Sequence, residues 1–368
     1  MYDLAGVDSS KNTVSPPQNK KSSINTSDVQ QLLADNFLSG FLPDGWGSRV
    51  LNHQAEHIEK PTLGIITKSC TEKVRMRGLS TIERYNAQAK AAYLLPDHRI
   101  GICQRLAVRN KPVELTYDKS NDSAYYANVV RCGSIWVCPC CAAKVNEVRR
   151  KALKSCITSW RKKSRGVFLV TLTLQHNKQD TLKSVLDALL KSSSGMWAGG
   201  WYTRLQKEFA IVGKIRGLEI TYGRNGWHCH LHVAMITNKP VTEIDIGGAE
   251  KDIKRRWKAV AEKNWRYVSE IYGADVTACN DGIGDYLAKA DNWTISSEMT
   301  SGTYKTPQGG GRTMMQVLRD CNPWERDNDS RLFTEYAAAI EGKRSLSWSK
   351  GLKSLLGYVE TDPEAETE

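Results

Sequence analysis

The chain has 368 residues and a mass of 41.2 kDa, which gives room for about two domains and a sizeable buried core. Lys and Arg number 52 against 40 acids, a formal net charge of +12, with 40% hydrophobic residues and a mean hydropathy of −0.47. No run reaches the roughly 18 apolar residues of a membrane span and the first stretch of chain is polar, which argues against membrane and secreted classes. A cytoplasmic protein with a polyanionic partner and no membrane partner is expected.

Residues 1–45 are rich in Ser, Asn, Asp and Gln, contain Pro16-Pro17 and show no sustained apolar period, so they read as a disordered tail. PVELTY, the polar turn DKSNDS and AYYANVV predict a hairpin near 113–130. Between Ala142 and Trp160, the residues Val145, Val148, Ala152, Cys156, Ile157 and Trp160 recur at helical spacing. Arg149, Arg150, Lys151 and Lys154 lie mostly away from that stripe. GVFLVTLTL (166–174) is rich in β-branched residues and predicts a buried strand, and TLKSVLDALLK (181–191) predicts a helix. GLEITY (217–222), a GRNG turn and WHCHLHVAMI (227–236) predict a second hairpin, with Asn225-Gly226 as its turn signal. IKRRWKAVAEKNW (253–265), DYLAKADNW (285–293) and a last region containing LFTEYAAAIEG (332–342) predict helices, the last set apart by PQGGG at 307–311. Neither GxxxxGK[ST] nor GxGxxG occurs, so ATP hydrolysis and dinucleotide binding have no sequence support.

The chain has ten cysteines, and four fall within ten residues: Cys132, Cys138, Cys140 and Cys141. In a reducing compartment such clustering favours metal over disulfide. Cys138 and Cys141 form a C-x-x-C knuckle, a spacing that sets two thiolates on one tetrahedral ion. Cys132 is a third candidate and Cys103, in GICQRLAV, a fourth, which leaves Cys140 spare. Four thiolates close the coordination shell, so a structural Zn²⁺ rather than a catalytic one is expected.

Three of the seven histidines fall in His228-Cys229-His230-Leu231-His232. Alternate residues of a strand share a face, so the three imidazoles point one way and Cys229 and Leu231 the other. The hairpin then delivers a carboxylate. With Arg224-Asn225 as the loop, Glu219 pairs opposite His230; with Asn225-Gly226, opposite His232. Either register puts Glu219 on the histidine face. Two imidazoles and a carboxylate on adjacent strands make a divalent-metal site with open positions.

GLEITYGRNGWHCHLHVAMI resembles the His-hydrophobic-His motif of the HUH single-strand DNA nicking enzymes. It is more similar still to the second motif, E-x-T…GWHPHxH, of the plasmid rolling-circle replication initiators. The resemblance implies metal ligation of Mg²⁺ or Mn²⁺ by Glu219, His230 and His232, with His228 as the additional histidine and Cys229 in place of the usual Pro. Asp281-Gly-Ile-Gly-Asp-Tyr286-Leu-Ala-Lys289 resembles the family's third motif, Y-x-x-K, and implies Tyr286 as the nucleophile with Lys289 beside it, three positions along a helix. Some relatives carry a carboxylate one turn before the tyrosine to activate the terminating water. Gly282 stands there, and Asp281 and Asp285 are the neighbouring carboxylates. GVFLVTLTLQH (166–176) resembles the first motif, with His176 where relatives often place a polar residue and equally readable as a plain loop histidine. RCGSIWVCPCCAAKV (131–145) resembles the family's C-x-S-x-W-x-C-P-x-C segment.

The resemblance covers roughly residues 100–358 and implies an α+β fold: an antiparallel sheet with the histidine strand central, helices on its faces, a zinc-binding segment and a C-terminal helical region. The implied plan is a tail (1–45), a zinc-binding and basic-helix region (46–160), a nickase core (161–300), a helical region (301–359) and an acidic tail (360–368). The implied function is initiation of rolling-circle plasmid replication by nicking single-stranded DNA at the origin, with a host helicase and a DNA polymerase as further partners. Arg149, Arg150, Lys254, Arg255 and Arg256 are candidate DNA contacts, while Trp160, Trp257 and Trp265 read individually as core. The alternatives are an HUH transposase, a relaxase (disfavoured because its tyrosine generally precedes the histidine motif) and a noncatalytic zinc-containing DNA-binding regulator. The first 45 residues hold three bases and five acids and the last nine hold five acids, so the part with the motifs is more basic than the whole chain.

Overall fold

A computed structural model describes residues 79–118, 123–264, 266–278, 299 and 311–359. The described chain falls into two compact units, one comprising Gln104–Val130 and the other residues 79–103 and 131–359. In the smaller unit β1 (Glu114–Asp118) and β2 (Ser123–Ala127) pair antiparallel, with Leu115 opposite Tyr126 and Tyr117 opposite Ala124, as the PVELTY and AYYANVV pattern predicts.

The larger unit is α+β. Its elements in chain order begin with α1 (Thr81–Leu94), a 3₁₀ turn (Arg99–Ile102), α2 (Pro139–Arg161) and β3 (Gly166–Thr173). α3 (Leu182–Met196) and α4 (Gly199–Glu208) lead into the long hairpin of β4 (Ile211–Gly223) and β5 (Gly226–Thr237). α5 (Glu243–Glu262), β6 (Ala274–Ala278), β7 (Arg312–Thr313), α6 (Met314–Asp320), α7 (Asn328–Ala339), β8 (Leu346–Trp348) and α8 (Leu352–Leu355) complete it. The sheet runs β6-β3-β5-β4-β7 with β8 also on β4, every described pairing is antiparallel, and the histidine strand β5 is central.

Side-chain parity sorts the core onto the two faces of this sheet. Phe168, Val170, Leu172, Leu218, Ile220, Leu231, Val233 and Met235 point to one face and share a cluster with Leu186 and Leu189 of α3 and Ile253 and Trp257 of α5. Val167, Leu169, Ile215, Ala234 and Ile236 point to the other and cluster with Leu153, Ile157 and Trp160 of α2. Trp160 and Trp257 keep their indole N–H satisfied: Trp160 Nε1 donates to Thr237 O at 2.9 Å and Trp257 Nε1 to Thr173 O at 2.8 Å. Each is thus a core residue, as its apolar spacing implies; Trp265 lies outside the described residues.

Helix starts follow local chemistry. Ser80 with Glu83, Thr242 with Asp245, and Thr313 with Gln316 form reciprocal capping boxes at α1, α5 and α6. α5 begins at Glu243, well before the IKRRW stretch that announces it, because Thr242 and Asp245 cap a segment whose two glycines hide its helical period. The helix expected at 285–293 lies outside the described residues.

Candidate metal centres

The hairpin turn settles the register left open by the sequence. Gly223 pairs with Gly226, so Arg224-Asn225 is the loop and Glu219 stands directly opposite His230. His232 pairs with Gly217 on β4 and with Thr171 on β3. Glu219 nevertheless reaches diagonally along the face, and its Oε2 lies 2.9 Å from His232 Nε2. An ionised carboxylate only accepts, so His232 Nε2 carries the proton in this arrangement, and its Nδ1 accepts from Thr171 Oγ1 at 3.1 Å. Both partners are buried, Glu219 at 7% and His232 at 6% exposure, while His228 and His230 are half-buried.

The imidazoles form a row. Ring centroids are 4.0 Å apart for His228 and His230 and 6.0 Å for His230 and His232, the latter stacked. A fourth ring, His176, joins from the loop after β3, its centroid 4.7 Å from that of His228. Burial, helped by His176 and opposed by Glu219, pulls the His228 pKa down to about 4, so this ring is neutral at physiological pH and offers a lone pair. Cys229 points to the opposite face, where burial pushes its thiol up to about 12.

A divalent ion suits this donor set. Adjacent ligands on an octahedral ion with bonds near 2.1 Å lie about 3.0 Å apart, and the Glu219–His232 contact already has that spacing, with His230 opposite the same carboxylate. The row is more open than the cysteine cluster, however. Among the described residues, the group of three or more donors that all lie within 4.8 Å of one another is Cys103, Cys132, Cys138 and Cys141.

Those four are the cysteines that spacing selects, and they could bind a metal ion. Cys103 follows the 3₁₀ turn, Cys132 precedes α2, and Cys138 is the N-cap of α2, its sulfur accepting from Cys141 N at 3.5 Å. The Sγ–Sγ separations are 3.8 Å for Cys103–Cys138, 3.5 Å for Cys103–Cys141 and 3.7 Å for Cys132–Cys141. A ZnS₄ tetrahedron with bonds near 2.3 Å has edges of about 3.8 Å. Hydrogen bonds from Cys103, Cys132 and Cys138 hold the Cys141 thiol far below its ordinary range, whereas Cys132 is held far above it by Cys103, Cys138 and Cys141 and by burial. Four sulfurs this close cannot all ionise unless a cation offsets their mutual repulsion. Gln88 of α1 donates to Cys138 Sγ at 3.5 Å and to Cys103 O at 3.4 Å, a second layer that the sequence did not reveal. Cys140 is half-buried and outside the cluster.

The basic candidates sit on two helices packed against opposite faces of the sheet. On α2, Arg150 makes a bidentate pair with Glu147 at 2.8 Å for each contact, and Arg149 Nη1 donates to Ser345 Oγ at 3.4 Å. On α5, Lys254 pairs with Glu250 at 2.7 Å, Arg255 with Asp252 at 2.6 Å, and Arg256 donates to Gly195 O at 3.0 Å. Tyr286, Lys289, Asp281 and Asp285 lie outside the described residues. The described chain touches the histidine face again at Met299: a Cβ on Gly217, the partner of His232, would sit 3.0 Å from Met299 O, so a larger residue would have to push that backbone back by a few tenths of an ångström.

Sequence reasoning missed Thr171, which carries its signal in strand parity, since it is the residue of TLT that pairs with His232. It also left His176 undecided, because a loop contact to another strand has no periodic signature. No helix among the described residues is long and apolar enough to cross a membrane.

No family model matches the chain. It is similar to "Protein rep" of Streptomyces lividans, 25% identical over 302 residues that cover 65% of this chain and 66% of that protein. It is also similar to a "Neomycin resistance protein" of Streptomyces cyanogenus, 25% identical over 139 residues, 31% of this chain and 32% of that one. The chain therefore spans just under two thirds of the first relative and about a third of the second. Among solved structures, a hydantoinase/carbamoylase family amidase from Burkholderia ambifaria aligns at 12% identity over 48% of this chain and 45% of that one, with a TM-score of 0.18, too low to carry an argument about fold. The sequence likeness is to a Rep-type protein.

Proposed function

Taking the chain as Rep-type, we propose that it initiates rolling-circle replication of a plasmid by nicking single-stranded DNA at the origin and later rejoining the strand. The observation that carries this reading is the Glu219–His232 contact at 2.9 Å beside His230 on one strand face. Glu219, His230 and His232, with His228 adjoining, would hold a Mg²⁺ or Mn²⁺ ion. When bound, that ion supplies charge neutralisation and alignment at the scissile phosphate.

The chain's own residues do the rest. Glu219 lends negative charge, and with an ion held at Nε2 the His232 proton would sit on Nδ1, where donation to Thr171 Oγ1 would fix the ring. Tyr286 attacks phosphorus through its phenol oxygen, forming the 5′-phosphotyrosine bond as the P–O3′ bond breaks. The phenol proton leaves to solvent and O3′ gains one, which gives a free 3′-OH for a polymerase. Lys289, three residues on, would offset the negative charge that develops on the phosphate. One phosphodiester replaces another, so rejoining needs no nucleotide, in keeping with the absence of phosphate-binding loops from the sequence. Asp281 or Asp285 serves as the base that ends the cycle. Cys103, Cys132, Cys138 and Cys141 hold a structural Zn²⁺.

DNA is the partner. Arg149 and Arg150 of α2, whose helix packs on the sheet face that carries the histidines, are the better placed phosphate contacts, and Lys254, Arg255 and Arg256 of α5 serve a separate path. A host helicase and polymerase follow from the replication role. The test is a covalent-adduct assay: full-length protein, origin single strand and Mn²⁺, analysed for a protein–DNA band and its linked residue. An adduct mapped to Tyr286 is expected. Failure of wild type to cleave any single strand leaves the noncatalytic regulator as the reading.

A further inference from the structure

His176 is the ring that the proposed chemistry leaves unassigned. Its loop is built rather than incidental. Asp180 caps it by accepting from Asn177 N at 2.9 Å and is itself held by Arg266 at 2.7 Å. The loop packs on the β4–β5 turn so closely that a Cβ on Gly226, whose φ is +89°, would lie 2.8 Å from Asn177 O. Two strands' ends are thereby locked together, and His176 is delivered to the end of the histidine row.

Its two nitrogens have unequal neighbours. Nδ1 lies 3.1 Å from the Asn225 backbone carbonyl, and Nε2 lies 2.5 Å from His228 Nδ1. A carbonyl can only accept, so His176 Nδ1 bears the proton. In the neutral ring Nε2 is then the acceptor, and His228 Nδ1 must donate to it. That leaves His228 Nε2 with the lone pair, on the side of the ring away from His176. We propose that His176 is a positioning residue: it reads the turn carbonyl and fixes His228 as the tautomer whose Nε2 is free to ligate a divalent ion. Metal-bound imidazoles are commonly oriented by the partner of their other nitrogen, and losing such a partner costs about 10–100-fold in metal affinity. The inference rests on the reading of the histidine face as a divalent-ion site.

The test uses full-length, zinc-loaded protein and Co²⁺ as the probe, followed by its visible absorption. His176→Phe keeps a ring of similar size without hydrogen-bonding atoms, and is expected to bind Co²⁺ about 10–100-fold more weakly. His176→Gln restores an acceptor near the Nε2 position and is expected to recover most of the affinity, which a merely structural role would not produce. In wild type, nitrogen NMR of the His228 ring is expected to show the Nδ1–H tautomer, and this readout needs no variant. Equal Co²⁺ binding by wild type and His176→Phe, or an Nε2–H tautomer at His228, overturns the inference while the metal site stands. A wild type that binds no Co²⁺ beyond its zinc overturns the metal reading and the inference together.

Discussion

Zinc removal tests the cysteine site with a magnitude that the chain itself supplies. Cys103 and Cys132 are about thirty positions apart, and the intervening chain includes the β1–β2 hairpin. An ion joining them closes that loop in the unfolded state as a cross-link does, which by the loop-closure relation is worth about 3.5 kcal/mol. For a unit of roughly 250 residues, each kcal/mol moves the melting temperature by about 2–4 °C. Cys132→Ala, or stripping with a strong chelator, should therefore lower Tm by about 7–14 °C, while Cys140→Ala, outside the cluster, should stay within about 1 °C of wild type. Differential scanning calorimetry with parallel metal analysis reads both. A reduced wild-type protein without zinc refutes the reasoning, as does a Cys132→Ala variant that melts with wild type.

Other outcomes follow from the histidine face. Tyr286→Phe should abolish the covalent DNA adduct on denaturing gels while leaving single-strand affinity within about twofold; an adduct that persists assigns the chemistry elsewhere. Glu219→Gln keeps an acceptor for His232 Nε2 but loses the charge, so calorimetric titration should show Mn²⁺ affinity down roughly tenfold or more at unchanged Tm. His228, held down to about 4 by burial, binds its proton more readily in the unfolded chain. Stability of the metal-free protein should thus be complete above about pH 6.5 and fall toward pH 4, by up to about 3 kcal/mol, and urea titrations should show this slope weakened in His228→Asn. The C-terminal half of α2 is held under the sheet by Leu153, Ile157 and Trp160 independently of its cysteine end, so Cys132→Ala should change Mn²⁺ affinity by less than about twofold.

The parts of this fold that were legible in the sequence are those where one period governs. The β4–β5 hairpin, β3 and the α2 stripe each repeat apolar residues at the spacing of their element, and the observed bounds differ from the expected ones mainly at the ends. The cysteine set was legible because C-x-x-C is local and only two further thiols precede it at short range. The histidine register, by contrast, turned on one choice of loop. Both choices kept Glu219 on the face, because they differ by two residues, yet neither pairing foretold the diagonal bond, in which Glu219 stands opposite His230 and binds His232. It belongs to a ring addressed from both sides: Glu219 of β4 meets its Nε2 and Thr171 Oγ1 of β3 meets its Nδ1. That is a three-strand property, and a sequence read one hairpin at a time has no term for it. The same holds for His176, whose role depends on a carbonyl in a turn about fifty residues away. What single strands cannot encode, the antiparallel neighbours β3 and β4 add on either side of β5, which is why the interior position of the histidine strand matters: an edge strand has no second neighbour to address the same ring.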